Sequence, residues 1–343
     1  MMRAAKEVKG GARGFAGGLL VELAAMMRDA RDGELIAVTS SVETIGDDLA
    51  AWSRLTGHAI VATEPSPGGR RWVVRKGEGR LDVEAPRPIG SRIWLYSNFD
   101  CNLRCDYCCV RSSPSTSRRE LGLERVARIA REAAALGVES LYVTGGEPFL
   151  LPDIGEILET CAAAAPTTVL TNGMLLHGAR LERLRSLPSR GLVLQISVDS
   201  PTSDLHDLHR GRGTWNKAMR GARAAREAGF RVRLAATVSS DEDEASFRDF
   251  LDRESIAEDD RIVRRIALRG FAAEGIALAK SDLVPEVTMT ADGVYWHPVG
   301  ATDDDFLVQA SLFTLSEAID AVREHWQRER QVHETLAQIF HCA

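Results

Sequence analysis

From residue 91 onward the chain alternates short β-rich runs with segments of helical period, and this alternation restricts the fold more than any other feature. Strand candidates are Arg92 to Ser97, Ser140 to Thr144, Thr168 to Thr171, Leu192 to Val198, Arg231 to Val238 and Arg261 to Leu268. Helix candidates lie between them, at Arg118 to Leu136, Ile154 to Ala165, Gly178 to Leu187, Thr214 to Ala228 and Asp243 to Leu251. In the first helix Leu123, Val126, Ile129, Ala130 and Ala133 share one face, and Gly137 follows as a stop. Strands separated by helices pair in parallel through right-handed crossovers, so the class is α/β.

The loop after the first strand reads Asn98-Phe99-Asp100-Cys101-Asn102-Leu103-Arg104-Cys105-Asp106-Tyr107-Cys108, with cysteines spaced Cys-x3-Cys-x2-Cys. Protein-bound cubane clusters are normally held by four thiolates. Three on one short loop leave an iron open to a small molecule, and an open metal position usually means chemistry rather than structure. A zinc knuckle would need a second ligand pair downstream, which nothing after Cys109 supplies. Disulfides would need an oxidising compartment, for which the sequence offers no secretion signal. Cys109 adjoins the triad, but the spacing is met by Cys108, which leaves Cys109 as a packed thiol.

This spacing, with an aromatic residue before the third cysteine, resembles the radical S-adenosylmethionine (radical SAM) superfamily. The resemblance implies one [4Fe-4S] cluster on Cys101, Cys105 and Cys108, whose open iron chelates S-adenosylmethionine. Reductive cleavage then gives a 5′-deoxyadenosyl radical that removes hydrogen from a substrate, with the cofactor doing the hard step. It also implies a partial (β/α)6 TIM-like barrel, with the site at the carboxyl ends of its strands. Tyr107 would pack near the adenine. Thr144-Gly145-Gly146-Glu147-Pro148 resembles the family's Gly-Gly-Glu-Pro turn, in which Gly145, Gly146 and Glu147 would hold the methionine amino group.

Thr171-Asn172-Gly173-Met174-Leu175-Leu176 and Gln195-Ile196-Ser197-Val198-Asp199-Ser200 look like runs in the branch of the molybdenum-cofactor GTP cyclase, the pyrroloquinoline-quinone enzyme and the sulfatase-maturing enzymes. By that resemblance Thr171 and Ser197 face the ribose or carboxylate of S-adenosylmethionine, with Asn172 and Asp199 as further candidates. An Asn-Gly turn and strand-end capping are the plainer alternatives. In His206-Asp207-Leu208-His209-Arg210-Gly211, Arg210 would pair bidentately with the methionine carboxylate, or else sit in a solvated loop. The strand Arg233 to Val238 would flank the adenine through its backbone.

Residues 1–82 form a separate domain in this reading, with strands at Glu34 to Thr39, His58 to Thr63 and Arg71 to Arg75 and helices near Gly18 to Arg28 and Ile45 to Leu55. The β-α-β-α-β-β order of a two-layer αβ sandwich, with the phrases Asp32-Gly33-Glu34, Trp52-Ser53-Arg54-Leu55-Thr56-Gly57-His58 and Val74-Arg75-Lys76-Gly77, resembles the sulfur-carrier family of the tRNA 2-thiolation relay over about residues 11 to 78. That family carries sulfur on a cysteine at the start of its first helix; here Gly14-Phe15-Ala16-Gly17-Gly18 stands there without one. A role in docking a partner or presenting a substrate follows better than sulfur carriage. Residues 83–91, with Pro86 and Pro88, read as a linker. The barrel would occupy 92–275, and 276–343 a cysteine-poor extension.

In that extension, Val287 to Pro298 reads as a hairpin about Asp292-Gly293, and Thr314 to Gln331 as a helix. In relatives the corresponding extension often holds auxiliary clusters, but here the expected cysteines are missing; His297 falls where one would stand, with His341 and Cys342 further on, and a packing or substrate-contacting hairpin is the reading preferred to a second cluster. The cyclase holds its substrate on such a cluster, so similarity in the barrel does not carry that activity over. Cys161, on an alanine-rich helix, reads as a buried apolar residue.

Composition bounds the partners. The net charge of −6 and the lack of a Lys/Arg block give no nucleic-acid surface, and no run is apolar and long enough to span a membrane. Six cysteines in 343 residues are too few for a disulfide scaffold, so the expected home is the reducing cytoplasm. The implied function is a single-cluster radical SAM enzyme, served by an electron donor such as a flavodoxin or ferredoxin and acting on a small-molecule or peptide substrate. A divergent pterin or molybdenum-cofactor cyclase and a non-enzymatic iron-sulfur relay or scaffold protein are the alternatives.

Overall fold

The structure, a computed structural model, describes residues 4–13, 19–42, 45–67, 69–77, 88–280 and 283–339. The stretch Gly14 to Gly18, most of the expected linker, and His341 with Cys342 lie outside these residues. Two units are defined, Met1–Arg87 and Pro88–Ala343.

The first unit runs β1 (Lys6–Gly11), α1 (Leu19–Asp29), β2 (Leu35–Ser40), α2 (Ile45–Thr56), β3 (Ala59–Ser66) and β4 (Gly69–Arg75). Its sheet has the order β1-β2-β4-β3, parallel between β1 and β2 and antiparallel elsewhere. Val8, Ile36, Val38, Trp72 and Val74 from one sheet face meet Leu19, Leu23, Ile45 and Leu49 from the helices in a common core. The pattern of side chains does not reveal the bounds of β1, because in Lys-Glu-Val-Lys-Gly-Gly only Val8 brings a sizeable apolar side chain. Lys76 donates from Nζ to the carbonyls of Met27 at 2.5 Å and Ala30 at 3.0 Å, which satisfies acceptors left over at the carboxyl end of α1.

The second unit opens with β5 (Arg92–Tyr96), α3 (Leu123–Leu136), β6 (Ser140–Thr144), α4 (Ile154–Ala164), β7 (Thr167–Thr171), α5 (Gly178–Arg185) and β8 (Leu192–Ser197). It continues with α6 (Ser203–Arg210), α7 (Thr214–Glu227), β9 (Arg231–Val238), α8 (Asp241–Arg253) and β10 (Arg261–Arg265), and closes with β11 (Val287–Met289), β12 (Gly293–Tyr295), β13 (Leu307–Ala310) and α9 (Leu315–Ile339). From β5 to β10 every neighbouring pair is parallel, the arrangement that helix crossovers require. The sheet stays open, in the order β10-β9-β8-β7-β6-β5-β11-β12-β13.

Period-2 alternation sorts the strand residues. Ile93 and Leu95 enter the core shared with α3 and α4, beside Leu141, Val143, Val126, Ile129 and Ile157. Trp94 and Tyr96 face the other way, into a cleft. At Gly137 the backbone turns left-handed with φ 68°, and its N–H reaches back to the last carbonyls of α3, so the expected stop is a helix cap.

Helix α9 runs to Ile339, past the expected Gln331, and four further details depart from the sequence reading. Helix α3 begins at Leu123 rather than Arg118, because Leu121 N–H bonds Ser97 O at 3.0 Å and Glu120 bridges to Asn98. The segment around His206 to Arg210, for which a solvated loop is the plainer alternative in the sequence, is helix α6. Strand β10 stops at Arg265, three residues short of Leu268, where the chain turns to pair Ala267 with Ile276. The hairpin about Asp292-Gly293 forms, but its strand β11 lies parallel to β5 and so prolongs the main sheet.

Candidate active site

Hydrogen bonds at the exit of β5 tie the cysteine loop to the end of β6. Ser97 donates through N–H and hydroxyl to Thr144 O, each at 2.8 Å. Gly146 N–H bonds Asn98 O at 3.0 Å and Glu147 N–H bonds Asp100 O at 3.0 Å. A Cβ on Gly145 would lie 2.4 Å from Asn98 Oδ1, and one on Gly146 would lie 2.1 Å from Asp100 O. The sequence reading assigned these glycines to close approach of a ligand; the approach they permit here is that of the chain's own cysteine loop. Gly146→Ala is accordingly expected to push the loop off β6, with a drop in iron bound per chain after reconstitution. Iron content equal to the parent protein would refute that.

Cys101, Cys105 and Cys108, together with Cys109, line one cleft of about 500 Å³. Leu103 N–H donates to Cys101 Sγ and Ser112 N–H to Cys108 Sγ, both at 3.4 Å, the kind of bond that stabilises sulfur ligands. Burial, then the negative charge of Glu147, pushes the Cys101 thiol up to about 12. Burial pushes Cys105 to about 11, with Arg210 opposing. Such thiols ionise only when a cation holds them. Among the described residues no three His, Cys, Asp or Glu side chains close on a single-ion position; a cubane instead takes its ligands at separate corners, and the free thiols of the Cys-x3-Cys-x2-Cys run around one cleft fit that donor set.

Cys109 lies beside them, packed with Cys108 against Tyr96, Phe99, Val110 and Ala301. Burial takes its thiol to about 12. A support absent from the sequence reading is Gly270, where a Cβ would strike Cys108 O at 2.1 Å and next to which Phe271 N–H bonds that same carbonyl at 3.0 Å.

Gly145, Gly146, Thr171, Ser197, Tyr107 and Arg210 also line the cleft. Glu147 does not. Its carboxylate is fully buried and accepts from Phe149 N–H at 3.0 Å, Thr171 hydroxyl at 2.7 Å and Asn172 N–H at 2.8 Å. Burial raises its pKa and these three bonds oppose the rise. The carboxylate read as a cofactor contact therefore clamps the end of β7 to the end of β6. In Glu147→Gln an amide N–H would face one of these donors, and the expected loss is about 1–3 kcal/mol of stability. A urea midpoint matching the parent would contradict the clamp.

Arg210 likewise has an internal partner. Its Nε and Nη2 donate to the two oxygens of Asp199 at 2.5 and 3.1 Å. Asp199 also accepts from the Tyr107 hydroxyl and from Thr237 N–H at 3.1 Å. Burial alone would raise the Asp199 pKa; Arg210 and the Tyr107 hydroxyl more than offset this and hold it below the usual carboxylate range. One buried carboxylate thus ties the cysteine loop, α6 and the ends of β8 and β9 together. On the outer side His209 reaches Asp106 at 2.9 Å, and Asp106 N–H bonds His209 O at 3.2 Å.

His297, a possible ligand in the sequence reading, also lines the cleft. Its Nδ1 accepts from Val299 N–H at 3.1 Å, so Nε2 carries the hydrogen and neither ring nitrogen offers a free lone pair. Burial, aided by Arg269, lowers its pKa to about 4.

An open sheet, parallel from β5 to β10, carries the cysteine loop and a ligand-sized cleft at the carboxyl ends of its strands, which places the unit among α/β folds with a cofactor-sized site. Residues 96–253 match the model of the Radical SAM superfamily. Members of that superfamily use a [4Fe-4S] cluster with S-adenosylmethionine. Over 160 residues the chain is 33% identical to the antilisterial bacteriocin subtilosin biosynthesis protein AlbA of Bacillus subtilis (strain 168), covering 45% of this chain and 34% of that protein. Over 151 residues it is 35% identical to a probable GTP 3′,8-cyclase of Methanocella arvoryzae, covering 43% of this chain and 47% of the relative. The chain thus spans between a third and a half of these curated relatives. In fold it is similar to native anSMEcpe solved with bound AdoMet, at TM-score 0.51 and 13% identity, over 68% of this chain and 82% of that one.

Proposed function

We propose that the protein is a radical SAM enzyme whose single [4Fe-4S] cluster is held by Cys101, Cys105 and Cys108 and binds S-adenosylmethionine at its open iron. The observation that carries this reading is the opening of all three triad thiols into one cleft, next to the Gly145-Gly146 turn. Bound together, the two cofactors supply one-electron reductive cleavage of S-adenosylmethionine and hydrogen-atom abstraction from a substrate. The protein's own part is to hold and shield them. Backbone N–H groups of Leu103 and Ser112 steady two sulfurs. With the amides of Gly146 and Glu147 spent on Asn98 and Asp100, the turn offers its carbonyls to an ammonium group. Tyr107, fixed by Asp199, gives an aromatic face beside the cluster, and Thr171 and Ser197 add hydroxyls at the ends of β7 and β8.

The substrate in this reading is a small molecule or a peptide, the electron comes from a flavodoxin or ferredoxin, and the reaction runs in the cytoplasm. Among the described residues no helix is long and apolar enough to cross a membrane. The sheet order β1-β2-β4-β3 supports a sulfur-carrier-like origin for the N-terminal unit, and without the family's cysteine it serves to dock a partner or substrate.

The deciding experiment is anaerobic reconstitution with iron and sulfide, followed by dithionite and S-adenosylmethionine. Charge-transfer absorbance and 5′-deoxyadenosine in the product mixture are expected. Zinc in the loop, or a cluster whose electron-spin signal ignores S-adenosylmethionine, would overturn the assignment in favour of a scaffold or relay role.

A further inference from the structure

The arginines lining the cleft are Arg92, Arg210, Arg264 and Arg265, and three of them are matched by carboxylates. Arg210 is held by Asp199, Arg92 meets Glu286 at 3.0 Å, and Arg265 lies 3.8 Å from Glu244. Glu286, the carboxylate within the lining, is engaged a second time by Trp94 Nε1. Arg264 differs. Among the described residues its guanidinium makes no hydrogen bond or ion pair, and its nearby polar groups are Cys109, Tyr96, Glu286 and Tyr142.

Position explains why it has none. Arg264 sits on β10 opposite Thr237 of β9, and both residues line the cleft. The protein around it lowers its pKa, while the residue itself is exposed and lines the cleft. An unpartnered guanidinium that lines a ligand-sized cleft is open to a ligand. A planar fork of N–H donors suits a carboxylate or a phosphate better than any other partner.

We propose that Arg264 is a substrate-recognition residue that binds an oxyanion, carboxylate or phosphate, on the molecule from which hydrogen is abstracted. This rests on the radical SAM reading above and adds the substrate class to it. Cys108 and Arg264 share the cleft, so a substrate anchored there by its anionic group presents its remainder toward the cluster loop. The aromatic rings of Trp94 and Tyr96 supply apolar wall between the charged groups.

Calorimetric titration of the full-length chain with two probes, inorganic pyrophosphate and citrate, tests this without turnover. At least one probe is expected to bind the parent protein at a single site, and the one that binds names the oxyanion as phosphate or carboxylate. In Arg264→Gln the affinity should fall by about tenfold or more, the worth of one charge-assisted hydrogen-bonding group. Arg264→Lys should recover part of it, keeping the charge but losing the fork. S-adenosylmethionine affinity of the reconstituted protein should be the same in all three. Failure of both probes to bind, probe affinity unchanged in Arg264→Gln, or a loss that falls on S-adenosylmethionine would each overturn the assignment. Probe binding does not need the cluster, so an intact anion site in a protein that releases no 5′-deoxyadenosine would count against the radical SAM reading alone.

Discussion

Replacing Cys101, Cys105 or Cys108 singly by alanine is expected to abolish cluster absorbance and 5′-deoxyadenosine release together, while Cys109→Ala retains the absorbance. The four thiols lie within one short stretch, and burial holds Cys101, Cys105 and Cys109 protonated in the absence of a cation, so intrinsic reactivity does not separate them. Spacing does. The Cys-x3-Cys-x2-Cys intervals are met by Cys101, Cys105 and Cys108 without Cys109, and Leu103 and Ser112 donate backbone N–H groups to the sulfurs of Cys101 and Cys108. With two thiolates left, a cubane would lose a second iron's ligand, and cluster type and number of ligands are linked. Iron and sulfide assays with the absorbance spectrum check this. Loss of the cluster in Cys109→Ala, or a stable cluster in a triad variant, would show that another thiol set does the binding.

Asp199→Ala is expected to destabilise the protein by about 3–5 kcal/mol, since removing one partner of a buried ion pair strands the other charge. Asp199 is 2% exposed, and its loss would leave Arg210 uncompensated and free the Tyr107 hydroxyl and Thr237 N–H. Denaturant midpoints measure the effect; a shift no larger than that of a surface substitution would refute the tie. Asp199→Asn keeps the shape and should fall between, because it removes the charge but retains an acceptor. The same group gives a pH dependence of defined sign. Its folded-state pKa lies below that of the unfolded chain, so its contribution is complete above the unfolded value of about 4 and drains away as pH falls through the folded one. Asp199→Ala should abolish that part of the acid sensitivity.

Local pattern made much of the second unit legible. Apolar spacing marked α3 and α4 to within a few residues, and β6 and β9 fall on Ser140–Thr144 and Arg231–Val238 as read from their β-rich runs. The alternation of these elements implied parallel pairing before any contact was known, because a helix between two strands leaves no other short connection. The Cys-x3-Cys-x2-Cys loop and the Gly-Gly turn were equally plain, since spacing along a short loop is already a statement about three dimensions.

Pairings distant in sequence were not legible. Nothing local says that Glu147 turns inward to Thr171 and Asn172, or that Arg210 meets Asp199. Gly270 holds Cys108 from a segment after β10, and β11 joins β5 across most of the unit. Helix α6 escaped because its polar run, Ser-Asp-Leu-His-Asp-Leu-His-Arg, buries only His206. Arg264 escaped for another reason: an arginine on an edge strand reads as a solvated residue, and only the structure puts it in the lining of the cleft with Cys108.

Sequence by itself therefore determined the class of chemistry, because cluster ligands on one loop and strand-helix periodicity are encoded within short windows. The tertiary structure decided which of the charged residues are spent on each other and which is left to meet a ligand. Pairing of buried charges depends on approaches of a few ångströms between strands far apart in the chain, and the balance between desolvation and partner is settled only when those strands meet.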